Sequence, residues 1–204
     1  MKKILFYAAF IASIFALNSF KTIEKNIFQD KEIQNFSLRN VNGQFIGLND
    51  YPNAKGFVVI FTCNHCPFAK LYSERLNFID AKYKPLGIPL LAINAMDSVV
   101  YEEETFDLMR ERAKTEKFTF PYLQDAAQIV GKDFQAEHTP QAYIIWKEKN
   151  NTFHIKYAGA IDDNGQVPEK ATPYIPNALD ELLQGKSVTH SKTKSVGCAI
   201  YYRK

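Results

Sequence analysis

The sequence predicts one α/β domain with a central mixed β-sheet, helices on both faces and an N-terminal β-hairpin. Short continuous runs of β-branched and aromatic residues, suited to strands buried on both faces, alternate with segments whose apolar residues recur at steps of three and four. An Asn-Gly pair between two apolar stretches marks the hairpin before them. A last pair of strand-like runs and a helix close the pattern, and alternation followed by a final hairpin calls for a mixed sheet. The composition suits a single core: 204 residues, 46% hydrophobic, 14% aromatic and 23% charged, within the ordinary globular range.

The elements follow in chain order. Residues 36–39 and 45–48 flank Asn42-Gly43 and form the predicted hairpin. Gly56–Phe61 reads as a buried strand. Phe68, Tyr72, Leu76, Ile79 and Tyr83 keep helical spacing until Pro85 and Gly87 end the helix. Residues 88–93 give a second buried strand. Residues 99–114 read as an acidic surface helix with Phe106, Met109 and Ala113 inward, and Glu102-Glu103-Glu104 as a solvated face. A short strand is predicted at 118–123, and a helix capped by Asp125 runs to Phe134. Strands at 142–146 and 154–160 and a helix at 178–183, closed by Gly185, complete the domain. Asp162-Asp163-Asn164-Gly165 resembles a fragment of a calcium loop without the remaining ligands, so a turn is expected there.

The N-terminus has the pattern of an export signal. Lys2-Lys3 precedes an apolar run over residues 4–17, broken by Ser13. That run fits a secretory leader and falls short of the roughly 20 residues that span a bilayer. The expected organisation is a signal peptide at 1–20, a polar spacer at 21–34, the domain at 35–186 and a polar tail at 187–204 that carries Cys198. The expected location is periplasmic or secreted, in an oxidising compartment, with membrane contact only if the leader stays uncleaved. The net charge of +3 includes Lys2 and Lys3, so no broad basic field marks a nucleic-acid binder.

The chemistry is expected between the first buried strand and its helix. Cys63-Asn64-His65-Cys66 follows Phe61-Thr62 directly. A C-x-x-C segment at a strand end and helix start brings two sulfurs within bonding range. Free N–H groups and the helix dipole there stabilise a thiolate on the first cysteine. Cys63 is therefore the expected low-pKa thiol, with His65 adding a charge or hydrogen bond. A structural bridge and half a metal site are the other readings of the pair. A structural zinc site needs four ligands, and no second C-x-x-C or His pair stands at suitable spacing, so neither metal nor cofactor is expected.

Phe61-Thr62-Cys63-Asn64-His65-Cys66-Pro67-Phe68, then His138-Thr139-Pro140, residues 159–164 and a late Gly197-Cys198, resemble the redoxin group of peroxiredoxin-like proteins with a thioredoxin-like fold. The resemblance runs from about Gln34 to the C-terminus and relates to the alkyl hydroperoxide reductase and thiol-specific antioxidant proteins. It implies that Pro140 is the cis-proline facing the redox pair, and that Thr139 offers its backbone to an extended substrate. Cys63 matches the nucleophilic cysteine of thioredoxins and Cys66 its resolving partner. Cys66 also aligns with the peroxide-reactive cysteine of peroxiredoxins. Two departures matter. Cys63 occupies the slot of the peroxiredoxin hydroxyl, and the buried acid of thioredoxin would fall near Phe57, which accepts no proton.

The expected function is thus an exported thiol–disulfide oxidoreductase that exchanges disulfides through Cys63 and Cys66, acting on protein thiols or disulfides with a redox partner protein. The alternatives are a thiol peroxidase using Cys66 and a non-catalytic binding module. His138 is a loop histidine with two equal readings, a place near the pair or no role. Cys198 is a candidate third redox cysteine. The apolar residues Ala199-Ile200-Tyr201-Tyr202 after it suggest that the tail docks on the domain.

Overall fold

The computed structural model describes residues 30–204. The leader at 1–20 and the first part of the spacer lie outside the described residues. The elements in order are β1 (Glu32–Ile33), β2 (Ser37–Asn40), β3 (Phe45–Gly47), β4 (Gly56–Phe61), α1 (Pro67–Lys70), α2 (Ser73–Tyr83), β5 (Leu90–Asn94), α3 (Phe106–Thr115), β6 (Tyr122–Gln124), α4 (Ile129–Phe134), β7 (His138–Thr139), β8 (Gln141–Lys147), β9 (Phe153–Gly159), α5 (Tyr174–Leu183) and β10 (Cys198–Ala199). No helix among the described residues is long and apolar enough to cross a membrane.

Eight strands form one sheet in the order β1-β9-β8-β4-β5-β6-β2-β3. Strands β4, β5 and β6 run parallel, while β8 and β9 join antiparallel on one side and the β2–β3 hairpin on the other. Alternate residues divide two cores, as the period of a strand requires. Phe57, Val59, Phe61, Leu91 and Ile93 face one side, where Val130 and Phe134 of α4 and both Cys63 and Cys66 pack. Val58, Ile60, Leu90 and Ala92 face the other, under α2, α3 and α5. This is the mixed thioredoxin-like architecture expected, with Gly43 at φ +90° in the Asn-Gly turn.

Four details differ from the sequence reading. Strand β1 lies inside the predicted spacer, pairs with β9 and buries Ile33. The first helix starts at Pro67, since proline at N1 loses no hydrogen bond and has its φ already set. It ends at Lys70, and because α1 and α2 are not one continuous helix, Phe68 leaves the shared face and is 45% exposed. Glu104 is buried in a short 3-10 turn before α3. Asp162 is buried and pairs with Arg75 and Tyr72, and its neighbours form the expected turn.

The tail docks. It runs beside β9, where Thr193 N–H donates to Ala158 O and Ala158 N–H to Ser191 O. It then forms β10 against β7, with Cys198 opposite Thr139 and Ala199 opposite His138. Ile200 is buried, its N–H donates to Glu137 O, and Tyr202 Oη donates to Ala136 O.

Candidate redox site

The register of two strands builds the site. Phe61, the last residue of β4, pairs with Gln141 of antiparallel β8. Two residues past Phe61 is Cys63, and two before Gln141 is Thr139, so the same register sets these two opposite each other. The Thr139–Pro140 peptide is cis. Thr139 Oγ1 lies 3.0 Å from Cys63 Sγ, and Thr139 O lies 3.0 Å from Cys66 Sγ. One residue thus touches both sulfurs. All three cysteines of the chain are free thiols, Cys63 and Cys66 buried and Cys198 partly exposed.

The two thiols differ in the direction opposite to the expectation. Because the helix begins at Pro67, Cys66 rather than Cys63 is its N-cap. The Cys66 thiol is lowered by the hydrogen bond from Cys63, then by Cys198 and the N–H groups of Ala69 and Cys198, against its burial. The nearby Thr139 carbonyl opposes this in part. Cys63 is raised by the same bond to Cys66, by burial and by the charge of Glu104. The N-cap is three residues later than the cysteine expected to hold that place, and the activating N–H groups move with it.

Sequence reasoning missed Glu104. Its side chain is fully buried and accepts four hydrogen bonds. Oε2 takes Asn64 N–H at 3.0 Å and Asn94 Nδ2 at 2.6 Å. Oε1 takes His65 N–H at 2.9 Å and His65 Nδ1 at 2.6 Å. His65 therefore turns to a carboxylate and stacks on Tyr101 at 5.1 Å, where a charge or a hydrogen bond to the thiolate was expected. Cys63, His65 and Glu104 bring ligand-type atoms within 4.8 Å of one another. These are three donors against the four of a structural zinc site, and each is already engaged in hydrogen bonds.

Arg112 of α3, also unforeseen, is buried and donates to the carbonyls of Cys63 and Ala69 on either side of the pair. Its place three residues after inward Met109 was the available signal. Tyr122 Oη donates to Asn64 Oδ1, fixing the loop from the sheet side. His138 pairs with tail residue Ala199 and has Nδ1 3.5 Å from Ser195 Oγ. Beside Pro140 opens a cleft of about 450 Å³, lined by Phe68, Leu71, Ile161 and Val196.

Solved structures share this architecture. An uncharacterized conserved protein from Geobacillus kaustophilus is 33% identical at a TM-score of 0.76, over 86% of this chain and 92% of that one. A hypothetical protein from Sinorhizobium meliloti 1021 is 29% identical at 0.77, over 86% and 94%. A thiol-disulfide oxidoreductase from Bacteroides fragilis NCTC 9343 shares the fold at 15% identity and a TM-score of 0.51, over 63% and 89%. No curated protein matches the chain. The AhpC/TSA profile matches residues 30–169, the stretch that holds the sheet and the Cys63–Cys66 segment, and the chain belongs to the AhpC/TSA family.

Proposed function

We propose that the protein is a thiol–disulfide oxidoreductase working through Cys63 and Cys66, in the extracytoplasmic compartment that the apolar N-terminal run predicts. The observation that carries the reading is that Thr139 holds both thiols at one point, its Oγ1 3.0 Å from Cys63 Sγ and its O 3.0 Å from Cys66 Sγ. Cys66 caps a helix and its thiol is lowered, while that of Cys63 is raised. A thiolate beside a protonated neighbour is the arrangement that disulfide exchange uses. The Cys66 thiolate attacks one sulfur of a target disulfide, and the other target sulfur leaves as a thiolate. Cys63 then loses its proton and attacks Cys66 Sγ. The Cys63–Cys66 bond forms, the second target thiolate leaves, and the two target sulfurs take up the proton released by Cys63 and one from water. Glu104, within 4.8 Å of Cys63 Sγ, sets the charge beside it and is one of the causes that raise the Cys63 thiol.

Protein thiols or disulfides are the substrate class that the surroundings favour. The cleft beside Pro140 carries exposed Phe68, Leu71 and Val196, an apolar surface that suits a protein segment. Stoichiometric oxidation of dithiothreitol by the oxidised protein, with turnover when an oxidant is supplied, tests the reading. Failure of the Cys63–Cys66 bond to form or to exchange would overturn it. A second reading, a thiol peroxidase at Cys66, is favoured by the lowered Cys66 thiol alone. Peroxide consumption with a dithiol reductant separates the two.

A further inference from the structure

Cys63 and Cys66 both have no exposed surface with the tail in place, and Cys198 beside them is partly exposed. This juxtaposition is built in several steps. Strand β10 sets Cys198 opposite Thr139, the same residue whose carbonyl contacts Cys66 Sγ. The Cys198 thiol and N–H are among the groups that lower the Cys66 thiol. Gly197 lets the strand come this close: a Cβ there would overlap the Thr139 carbonyl and lie 3.0 Å from Pro140 N. The tail thus occupies the edge where an extended substrate would pair with Thr139, and it delivers a cysteine to that place.

We propose that Cys198 is a third redox cysteine that carries the disulfide from the buried pair to the surface by bonding to Cys66. The proposal rests on the disulfide chemistry assigned above to Cys63 and Cys66. In the oxidised protein, the Cys198 thiolate attacks Cys66 Sγ. The Cys66–Cys198 bond forms, the Cys63–Cys66 bond breaks, and Cys63 leaves as a thiolate that takes up the proton Cys198 gave away. No electrons enter or leave in this step. A dithiol partner then attacks the accessible Cys198 sulfur and frees Cys66. The partner's second thiol attacks its own sulfur in the mixed disulfide and frees Cys198, so the partner is oxidised and the three cysteines end reduced.

The electrostatics favour this order. In the reduced protein the Cys198 thiol is pushed up to about 12 by burial, then by its hydrogen bond to Cys66 and by the Cys66 charge. A Cys66 bonded to Cys63 carries no charge, so both contributions from Cys66 vanish. Cys198 becomes a better nucleophile when there is a disulfide for it to attack.

The test maps bonds in Cys63→Ser after mild oxidation with diamide. The expected product is an intrachain Cys66–Cys198 disulfide. Cys198 left free, or bridged only between chains, would overturn the proposal. Rates give a second measurement. Cys198→Ser should slow reduction of the Cys63–Cys66 bond by dithiothreitol by about tenfold or more, since the buried pair loses its accessible sulfur. An unchanged or faster rate means that the tail is only a cover, and sinks the relay. If the wild-type protein forms no Cys63–Cys66 bond under diamide, the oxidoreductase reading fails, whereas the Cys63→Ser map still decides whether Cys198 reaches Cys66.

Discussion

The Glu104 carboxylate accepts a hydrogen bond from His65 Nδ1 at 2.6 Å, and that contact ties the segment between the two cysteines to the turn before α3. All four partners of Glu104 are donors. In Glu104→Gln the side-chain NH₂ must face two of them, whichever way the amide turns. The expected cost is about 1–3 kcal/mol from donors left unpaired, read as a lower denaturant midpoint. Loss of the charge should also lower the Cys63 thiol, because Glu104 is one of the causes that raise it. A variant with wild-type stability and an unmoved Cys63 titration would show that Glu104 is not the anchor.

The opposed shifts of Cys66 and Cys63 give a pH signature in the reduced protein. Cys66 is lowered in the folded chain, so its contribution to stability is full above the ordinary thiol value of 9.0 and is lost as pH falls through the lowered value. Cys63 is raised, so its contribution is full below 9.0 and is lost as pH rises toward its folded value. The thiol contribution to stability should therefore peak near pH 9 in the reduced chain and be absent in the Cys63–Cys66 disulfide form. Thiolate absorbance near 240 nm should show one ionisation below the ordinary thiol range. Cys66→Ser should remove that step. Cys63→Ala should move it upward by removing the donor that lowers it. A low step that survives in Cys66→Ser would assign it to another thiol.

Much of the fold was legible because its signals are local. Continuous apolar runs produced β4 and β5, and the Asn-Gly turn produced the β2–β3 hairpin. The apposition of Thr139 and Cys63 was legible only through the resemblance, since it depends on the β4–β8 register, and register is a long-range property. The identity of the activated thiol was misread because the helix starts at Pro67, which makes Cys66 and not Cys63 the N-cap beside the free N–H groups. Glu104 was hidden in a run of three glutamates, where composition indicates a solvated face and nothing marks which one turns inward. Two-residue β1 was hidden in a polar stretch, since its pairing with β9 supplies the order that its own sequence does not. Docking of the tail was anticipated from the apolar residues after Cys198, and the structure supplies its path beside β9 and β7.

Gly197→Ala tests that path without removing any sulfur. The added methyl overlaps the Thr139 carbonyl, a backbone group that cannot swing aside as the end of a side chain could. The tail must shift instead, at an expected cost of about 1–3 kcal/mol, as for other overpacked positions. Hydrogen exchange should speed up at the Ile200 N–H, which donates to Glu137 O at 2.8 Å. Amides in β4 and β5 should keep their protection. Equal protection at Ile200 in both proteins would mean that the tail tolerates the methyl and that the close approach is not needed.

Arg112 brackets the redox segment. Its Nη1 donates to Cys63 O and its Nη2 to Ala69 O at 3.4 Å, so one planar fork joins the end of the first buried strand to the first turn of the helix. The guanidinium lies over the rings of Phe118 and Tyr122 at 5.4 and 5.9 Å, which holds its plane. A lysine keeps the charge but is a point donor on a flexible stem and cannot reproduce both bonds from one plane. Arg112→Lys should therefore cost about 1.5–3 kcal/mol, the range for hydrogen bonds to a charged group. It should also slow formation of the Cys63–Cys66 bond under diamide, because the spacing between Cys63 and the helix is no longer fixed. Arg112→Met, which removes the buried charge together with the fork, separates the two effects. Equal slowing in the lysine and methionine variants assigns the role to the fork. Full recovery of the rate in Arg112→Lys would assign it to the positive charge beside Cys63, and the positioning role would be lost.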